Sequence, residues 1–464
     1  MANKKFLGRS QWKAAVGALL AAGFLFPAAA EASAPVTPAL LRAELTDAQL
    51  GAFYQSRGFR PLWLTPDGID PAAEFLLQLV SSSDFDAIPA DAQEIGRLTA
   101  AIAAARSGDS PASRARAELA ISKAFAWYVK ATRAAPAAEM IFEHESLRPR
   151  VPNDYQALQD AGAASSLGDY IAGMRWMHPF YAPLRRAVAE AQDDSSRRVL
   201  QNNLDRVRTL PASESGRYIL VDAANARLWM YENGRPVDSM RVVVGKPSLP
   251  TPMISGYVRY AIVNPYWNVP TDLVRNKVAP NVLRQGVSYL NSVRYQVLSD
   301  WGPSATPVDP RKVDWKSVAN GSIEARVRQL PGAGNSMGNV KFEFPNQLGI
   351  YLHDTPEKNL MLKEDRHFSS GCVRLEDADR LGRWLMRGEL PTASASPEQK
   401  VDLPALVPVY VSYLTAFPDN GKIALGPDPY RRDGTDIGRM ARGEVTPGTG
   451  QLQAPGAKLG VATR

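Results

Sequence analysis

The sequence predicts an α+β protein in which a mostly helical N-terminal region precedes a mainly β region that carries an insertion. Apolar residues recur at helical spacing from about residue 40 to residue 208. After Gly216, short apolar runs alternate with turn dipeptides, which is typical of strands. The expected domains are a helical scaffold at 33–212 and a β domain at 213–417, with the insertion at about 268–338.

The helical prediction depends on Ala-rich segments with apolar side chains three and four residues apart. Phe75, Leu76, Leu79 and Val80 form one such stripe, and Phe125 and Val129 belong to a later one. Prolines punctuate the region and divide it into separate helices.

The β prediction begins with two apolar runs at 218–221 and 228–231, followed by Asn233-Gly234 and a return strand at 240–244. Asn-Gly between alternating hydrophobic residues is a strong hairpin signal. Further extended segments are expected at 257–263, 340–344, 350–353 and 407–414. Between them, residues 268–338 are polar and interrupted by prolines, which indicates an excursion from the sheet that could act as a lid.

The composition excludes several classes of protein. The chain has 464 residues, 45% of them hydrophobic and 22% charged, so it is neither wholly disordered nor collagen-like. A single cysteine permits no internal disulfide and no CxxC motif. Four scattered histidines offer no metal-ligand spacing, and no dense Lys/Arg block supports nucleic acid binding. No cofactor and no metal are therefore expected.

The two ends of the chain are predicted to lie outside the folded domains. Lys4, Lys5 and Arg9 precede an apolar run at 14–30 and a small-x-small site at 30–32, which is the pattern of a secretory signal peptide at 1–32. The alternative is a retained membrane anchor. Residues 418–464 are predicted to form a C-terminal extension that is disordered from about residue 433.

The candidate chemistry lies in two short segments, 351–356 and 368–374. His353 closes a β-like run, and Cys372 follows a Ser-Ser-Gly turn. We expect Cys372 to sit at the N-terminus of a helix, where the dipole lowers the thiol pKa, with an imidazole to accept its proton. The N–H groups of Gly371 and Cys372 could face an oxyanion. The alternative for Cys372 is a buried, unreactive thiol.

These segments resemble the active-site signature of L,D-transpeptidases of the YkuD fold. The signature consists of His353, a loop and then Ser-Ser-Gly-Cys-Val-Arg. Cys372 follows His353 by 19 residues (372 − 353), a spacing that suits that family. The closer resemblance is to the large periplasmic YcbB-type branch. The ordered motifs that carry this resemblance are Val244-Gly245-Lys246, Thr251-Pro252, Asn264-Pro265-Tyr266-Trp267, Pro331-Gly332, Asn335-Ser336-Met337-Gly338 and Tyr351-Leu352-His353-Asp354-Thr355-Pro356.

Two departures from the wider family are visible. Ser370 stands where most members have His, a Ser that the YcbB-type branch shares. The Asp-Gly-x-x-Gly-x-x-Thr type motif of a peptidoglycan-binding domain is not recognisable, because the Asp67-Gly68 pair lacks the rest of it.

The resemblance implies that Cys372 is the nucleophile and that His353 is the general base and later the acid. It implies that Arg374 holds a substrate carboxylate or orders the turn, the alternative being a structural salt bridge. Tyr351, Trp267 and Asn335 would line the substrate pocket. Ser369 and Ser370 would orient His353 or shape the oxyanion site, or simply form the turn. The rival base is His367.

The implied reaction joins two meso-diaminopimelate residues of peptidoglycan tetrapeptide stems through a cysteine thioester, with release of D-Ala. Carbapenem-type β-lactams would inhibit it, other cell-wall synthesis proteins are candidate partners, and the implied compartment is the periplasm. The alternatives are a thiol L,D-carboxypeptidase or hydrolase of cell-wall peptides and a non-catalytic periplasmic scaffold. The order His before Cys disfavours papain-like and NlpC-type hydrolases, and a sortase would place its Arg further downstream.

Overall fold

A computed structural model of the chain describes residues 36–66, 68–89, 91–107, 110–134, 138–212, 216–302, 304–391 and 396–434. The predicted signal peptide and residues 435–464 of the C-terminal extension lie outside the described residues. Helices dominate the first part and strands the second, so the predicted α+β order is confirmed. Within the described ranges, no helix is long and apolar enough to cross a bilayer.

Among its described residues, the N-terminal region contains nine α-helices and three two-residue strands. In chain order these are α1 Pro38–Glu44, α2 Ala48–Ser56, β1 Leu64–Thr65, β2 Gly68–Ile69, α3 Ala72–Ser81, α4 Ala92–Ser107, α5 Pro111–Arg133, β3 Ile141–Phe142, α6 Asp154–Ala163, α7 Leu167–Ala172, α8 Tyr181–Glu190 and α9 Asp194–Arg208.

Helix α5, with 23 residues, is the centre of this region. It begins where the Ser110 side chain accepts a hydrogen bond from the Ser113 N–H, and Pro111 occupies the first turn. Both features favour helix initiation, because they satisfy or remove unpaired N–H groups. Phe125 and Val129 of the predicted stripe are buried in the helical core, whereas Phe75 of the earlier stripe is exposed.

Two buried carboxylates are held in this helical core by several donors each. Glu118 accepts from the Tyr54 hydroxyl at 2.7 Å and from the N–H groups of Leu62, Trp63 and Leu64. Burial raises the pKa of Glu118, while these donors act in the opposite direction. The result is a polar cross-link between α5 and the segment that enters β1.

Asp86 is the second carboxylate and is inaccessible to solvent. It accepts from the hydroxyls of Tyr128 (2.7 Å) and Tyr181 (2.9 Å) and from the Arg185 Nε. The Arg208 guanidinium also donates to the Asp86 backbone carbonyl. These bonds tie α5, α8 and α9 together.

The strands of the β region close into a barrel. Its members are β4 Tyr218–Asp222, β5 Arg227–Glu232, β6 Arg235–Gly245, β7 Ile254–Val263, β11 Val340–Glu343, β12 Leu352–His353, β13 His367–Ser369, β14 Val373–Leu375 and β15 Gln399–Ser412, with helix α14 Ala378–Met386. The strand order is β7-β11-β12-β14-β6-β5-β4-β15 and returns to β7, while β3 and β13 attach to β7 and β6.

The predicted hairpin is confirmed. Tyr218 pairs with Tyr231 across β4 and β5, and β5 continues antiparallel into β6. Asn233 and Gly234 have φ angles of 50° and 73°. Two consecutive positive φ angles are those of a two-residue hairpin turn, which explains the Asn-Gly pair.

The core of the β region consists of one face of each strand and the apolar face of α14. Leu352, Val373 and Leu375 belong to this core together with Leu381 and Leu385 of the helix. Full burial of each such side chain stabilises the fold by about 1.5–3 kcal/mol. The opposite face of β12 and β14 is therefore left for other side chains.

The scaffold and the β region share backbone and side-chain contacts. Ile141 of β3 pairs in parallel with Ile254 of β7, so a scaffold segment extends the sheet. Asn203 of α9 exchanges two hydrogen bonds with Thr415, at 2.8 and 2.9 Å. Sequence patterns did not predict either link.

The insertion has a sheet and a hydrophobic cluster of its own. It comprises β8 Trp267–Asn268, α10 Thr271–Leu273, α11 Ala279–Gln285, α12 Ser288–Ser292, β9 Tyr295–Leu298, α13 Trp315–Ala319 and β10 Arg326–Gln329. β10 lies between β8 and β9, and valines with Trp315 pack beneath them.

A C-terminal hairpin follows the last strand of the barrel. It is formed by β16 Ala416–Asp419 and β17 Lys422–Leu425. Beyond it the Tyr430 hydroxyl donates to the Gly245 carbonyl at 2.7 Å, and Asp433 forms an ion pair of 2.8 Å with the buried Arg206. The predicted disorder begins at about residue 433, and the chain after residue 434 lies outside the described residues.

Candidate active site

Two parallel strands bring the predicted nucleophile and base to one surface. Leu352 pairs with Val373 and His353 with Arg374 across β12 and β14. Side chains alternate along a strand, and partners in register share a face. Because Leu352 and Val373 point into the core, His353 and Cys372 lie on the opposite face, with Tyr351 and Arg374 beside them.

The His353 imidazole is fixed by one hydrogen bond. Its Nδ1 lies 2.6 Å from the Asp354 carbonyl oxygen. A carbonyl can only accept, so this contact assigns the proton to Nδ1 and leaves the Nε2 lone pair available. Burial, and secondarily the positive charge of Arg374, lowers the pKa of His353 to about 3. The ring is therefore neutral at physiological pH.

Asp354 is held in place by its own contacts. Its carboxylate accepts from the Lys358 Nζ at 2.6 Å and from the Asn339 N–H at 2.9 Å. A Cβ on Gly338 would lie 2.2 Å from the Asp354 carboxylate, so this position admits only glycine without rearrangement. The Asp354 backbone, whose carbonyl orients His353, is thus held by Lys358 on one side and by the Gly338-Asn339 segment on the other.

Cys372 lies in a different setting from the one that the sequence suggested. Strand β14 follows it directly, and helix α14 starts only at Ala378, so the expected helix dipole does not act on the thiol. Burial raises the pKa of the Cys372 thiol to about 11, against a smaller lowering effect of hydrogen bonds from Tyr351. The prediction of a lowered thiol pKa is wrong.

The thiol contacts the backbone of the loop before β12. The Cys372 Sγ donates to the Gly349 carbonyl at 3.7 Å, and its side chain is half-buried. The contacts of the described residues include no hydrogen bond between Sγ and the His353 ring. Catalytic hydrogen bonds are often long before substrate binds, so the shared face is the relevant observation.

The turn before Cys372 is held by three side-chain hydrogen bonds. The Ser369 Oγ accepts from the Gly371 N–H at 3.1 Å and donates to the Cys372 carbonyl at 2.6 Å. The Thr251 Oγ1 donates to the Gly371 carbonyl at 2.8 Å. The expectation that the Gly371 N–H faces an oxyanion is thus not met, because Ser369 engages it. The Cys372 N–H is the remaining candidate donor.

Ser370 and Tyr351 have different positions relative to the thiol. Ser370 is exposed, and the contacts of the described residues include none between Ser370 and His353. The Tyr351 hydroxyl and backbone both hydrogen-bond with Cys372, and the Tyr351 ring lies 5.7 Å from the His353 ring. Burial, followed by the nearby thiol, raises the pKa of Tyr351, so its hydroxyl stays protonated and can donate.

Arg374 is engaged in an ion pair with Glu357. The structural alternative for this residue therefore has direct support. Its guanidinium also lies close enough to His353 to disfavour the imidazolium.

Two of the predicted pocket residues belong to the insertion and its flank. Trp267 packs edge-on against Tyr295 at 6.3 Å, within the insertion. Asn335 is buried, and its amide donates to the carbonyls of Pro265 and Leu330 while its oxygen accepts from the Met337 N–H. Asn335 is thus committed to its own loop, and its assignment to a pocket wall is not supported.

His367, the rival base, has both ring nitrogens occupied. Its Nδ1 lies 2.6 Å from the Asp365 carboxylate and its Nε2 3.0 Å from the Ala223 carbonyl. It fastens β13 to the barrel and has no free nitrogen for a substrate.

Sequence reasoning missed the residues that support the site. Thr251, Asp354 and Lys358 received no role, although Thr251 and Asp354 belong to the ordered motifs. Two more, Lys341 and Glu343, form an ion pair of 3.1 Å on β11, and Lys341 pairs in register with His353. The described residues include no group of three or more His, Cys, Asp or Glu placed to hold a metal ion.

Both regions are similar to known protein families. Residues 216–411 match the YkuD family model, described as the L,D-transpeptidase catalytic domain, and residues 48–188 match a model described as a scaffold domain. A protein of Haemophilus influenzae named "Putative L,D-transpeptidase" is 31% identical over 253 residues, which are 53% of this chain and 50% of the relative. The chain thus spans about half the length of that relative.

Two solved structures are similar at a lower level. An L,D-transpeptidase from Mycobacterium smegmatis is 13% identical over 42% of this chain and 58% of that chain, with a TM-score of 0.22. L,D-transpeptidase 3 from Mycobacterium tuberculosis, in complex with a faropenem-derived adduct, is 14% identical over 44% and 65%, with a TM-score of 0.21. These values are too low to bear on the activity.

The family model and the curated relative agree with the resemblance that the motifs indicated. The finer assignment to the YcbB-type branch stays a prediction. Residues 216–411 are thus similar to the YkuD family, described as the L,D-transpeptidase catalytic domain, and the preceding residues 48–188 are similar to a scaffold domain.

Proposed function

We propose that this protein is a peptidoglycan L,D-transpeptidase that forms 3-3 cross-links between meso-diaminopimelate residues through a thioester on Cys372. The observation that carries the proposal is the register of β12 and β14, which puts His353 and Cys372 on one face of the sheet. The Nε2 of a neutral imidazole on that face is a suitable proton acceptor for a thiol.

In the first half-reaction, Sγ attacks the carbonyl carbon of the diaminopimelate residue that precedes the terminal D-Ala. Because burial disfavours both the thiolate and the imidazolium, the proton moves from Sγ to His353 Nε2 as the S–C bond forms. In this proposal the Cys372 N–H and the Tyr351 hydroxyl donate to the oxyanion. His353 then protonates the amine as the C–N bond breaks and D-Ala leaves.

In the second half-reaction, the side-chain amine of a neighbouring stem attacks the thioester carbonyl. His353 accepts a proton from the amine and returns one to the departing sulfur. The amide that forms replaces the amide that broke, so the thioester retains the energy and no nucleoside triphosphate is needed. Water as the acceptor would give L,D-carboxypeptidase activity instead.

Substrate, compartment and inhibitors follow from the family resemblance. The donor and acceptor are tetrapeptide stems, the compartment is the periplasm, and carbapenem-type β-lactams are expected to acylate Cys372. By the same resemblance, the insertion with Trp267 would cover the site and limit access of water.

The test is a reaction with purified disaccharide tetrapeptides, analysed by mass spectrometry. We expect dimers joined between two diaminopimelate residues, together with one free D-Ala per dimer. Tripeptide and D-Ala without dimers would indicate the carboxypeptidase. The absence of both dimers and D-Ala would contradict an enzymatic role. Cys372→Ala is the matched control and should give no product.

A further inference from the structure

The end of the sheet furthest from Cys372 carries a second feature of the surface. Arg175, Arg186, Arg235, Arg383 and Arg387, here called the arginine edge, surround the hairpin turn at Asn233-Gly234. All five are exposed. They come from the scaffold, from β6 and from the end of α14, so the fold assembles them from distant parts of the chain.

The arginine edge is concave on both sides of the turn. A groove of about 580 Å³ is lined by Arg217, Arg383, Trp384 and Arg387. A second groove of about 430 Å³ is lined by Arg175, Arg186 and Arg235. Asn233 lines both, so the two grooves adjoin.

Few carboxylates neutralise this surface. Glu232 is the one acidic residue lining the two grooves, and it already accepts from Arg217 Nε at 3.2 Å and from Trp384 Nε1 at 2.9 Å. Arg383 also borders a neighbouring cavity of about 390 Å³ that holds Asp379 and Glu389. Across the described parts of the chain, none of the five arginines forms an ion pair within 4 Å.

The arginine edge is separate from the active site. β6 runs from Arg235 to Gly245, and Val243 near its far end pairs with Arg374, two residues after Cys372. At roughly 3.3 Å per residue, the strand separates Arg235, in the second groove, from the level of Cys372 by about 30 Å. A short peptide held at Arg235 is therefore not the peptide that reacts at Cys372.

We propose that the arginine edge binds carboxylates of further stem peptides on the same cell-wall polymer; the identity of this polymer rests on the proposed function. Planar guanidinium groups match carboxylates with two hydrogen bonds each, and grooves suit a peptide chain. A polymer that carries regularly repeated carboxylates can occupy the edge and the active site together, which raises the effective concentration of stems at Cys372.

The experiment compares three proteins. Arg175→Glu, Arg235→Glu and Arg387→Glu are combined in one variant, and Arg60→Glu, Lys123→Glu and Arg198→Glu, at exposed positions elsewhere, form a control with the same change of charge. Each protein is co-sedimented with purified peptidoglycan sacculi, with sacculi whose carboxylates have been amidated, and with vesicles of anionic phospholipid. Release of D-Ala from a short soluble tetrapeptide is measured in parallel.

We expect the arginine-edge variant to bind native sacculi about tenfold more weakly than the wild-type protein and the control variant, because multivalent contact is lost. Amidated sacculi should show the same loss with the wild-type protein. The kcat for the soluble tetrapeptide should stay unchanged in both variants.

Equal binding of the two variants to sacculi would overturn the proposal, and so would arginine-dependent binding to vesicles with none to sacculi. If the wild-type protein released no D-Ala from the soluble tetrapeptide, that result would contradict the proposed function instead. The two failures are therefore distinguishable.

Discussion

The scaffold and the active site both bury polar groups, but the two regions differ in how many hydrogen-bond partners those groups have. Asp86 has Tyr128, Tyr181 and Arg185 as donors to its carboxylate, and Glu118 has at least four donors. The reactive groups have fewer partners, none of them an ionised group: Cys372 interacts with the Gly349 carbonyl at 3.7 Å and with Tyr351, and His353 uses Nδ1 alone.

This difference separates two uses of buried polarity. A carboxylate with every lone pair satisfied serves as a cross-link between helices. Burial disfavours the charged forms of the Cys372 thiol and the His353 imidazole, and the Nε2 of His353 keeps a lone pair for a substrate proton. Substitutions in the scaffold should therefore affect the free energy of unfolding, and substitutions in the site should affect the reaction.

Replacement of the thiol should have the largest effect. Cys372→Ala removes the nucleophile, so D-Ala release and dimer formation should fall by about 10³-fold or more. The side chain is half-buried in a turn and packs little, so the free energy of unfolding should change by less than about 1 kcal/mol. Product analysis and denaturant unfolding measure the two effects. Residual dimers at the wild-type level would refute the role of Cys372.

Substitutions of the two buried histidines His353 and His367 should have the next largest effects, and the two effects should differ in kind. His353→Gln should lower kcat/KM by about 10²–10⁴-fold, because the proton acceptor is lost. His367→Gln is the matched control: it breaks contacts to Asp365 and Ala223 and should lower stability with little change in kcat. Steady-state kinetics at fixed folded fraction checks both. The opposite pattern would make His367 the base.

A scaffold carboxylate should show the converse behaviour. Asp86→Ala leaves Arg185 buried without its partner and should destabilise the protein by about 3–5 kcal/mol. The kcat per folded molecule should remain at the wild-type level, since no reactive group is touched. Denaturant unfolding and active-site titration measure the two quantities. A fall in kcat without loss of stability would show that the scaffold acts on the chemistry.

His178 offers a smaller, pH-dependent contrast. Burial lowers its pKa to about 3, whereas the unfolded chain has the ordinary value near 6.5. Below pH 6.5 the unfolded state takes up a proton that the folded state does not, so stability present above pH 6.5 is lost as the pH falls towards 3. From pH 7.5 to pH 5 this amounts to about 2 kcal/mol.

His178→Asn should remove that contribution, because the amide does not titrate and its oxygen can still accept from the Phe180 N–H. Unfolding free energies at several pH values test this. An unchanged slope between pH 7.5 and pH 5 would place the pH dependence elsewhere.

The sequence predicted those features that depend on local pattern. Asn233-Gly234 predicted the hairpin because two positive φ angles favour those residues. His353 and Cys372 could be singled out from the motif around each, and the register of β12 and β14 puts them on one face.

Features that depend on distant pairing could not be predicted in this way. Strand β14 lies between Cys372 and α14, so the helix dipole does not act on the thiol. This strand forms because it pairs with β6, more than a hundred residues earlier in the chain. The use of the Gly371 N–H by Ser369, the pairing of β3 with β7 and the enclosure of Asn335 likewise depend on tertiary contacts. Nothing in the local composition reports them.

The central claim is that Cys372 forms a covalent acyl intermediate. Intact-protein mass spectrometry after incubation with a carbapenem tests it most directly, with peptide mapping to locate the adduct. The account predicts one added inhibitor molecule per chain, attached to the peptide that contains Cys372, and none in Cys372→Ala. An unmodified wild-type protein under conditions that allow D-Ala release, or an adduct at another residue, would contradict it.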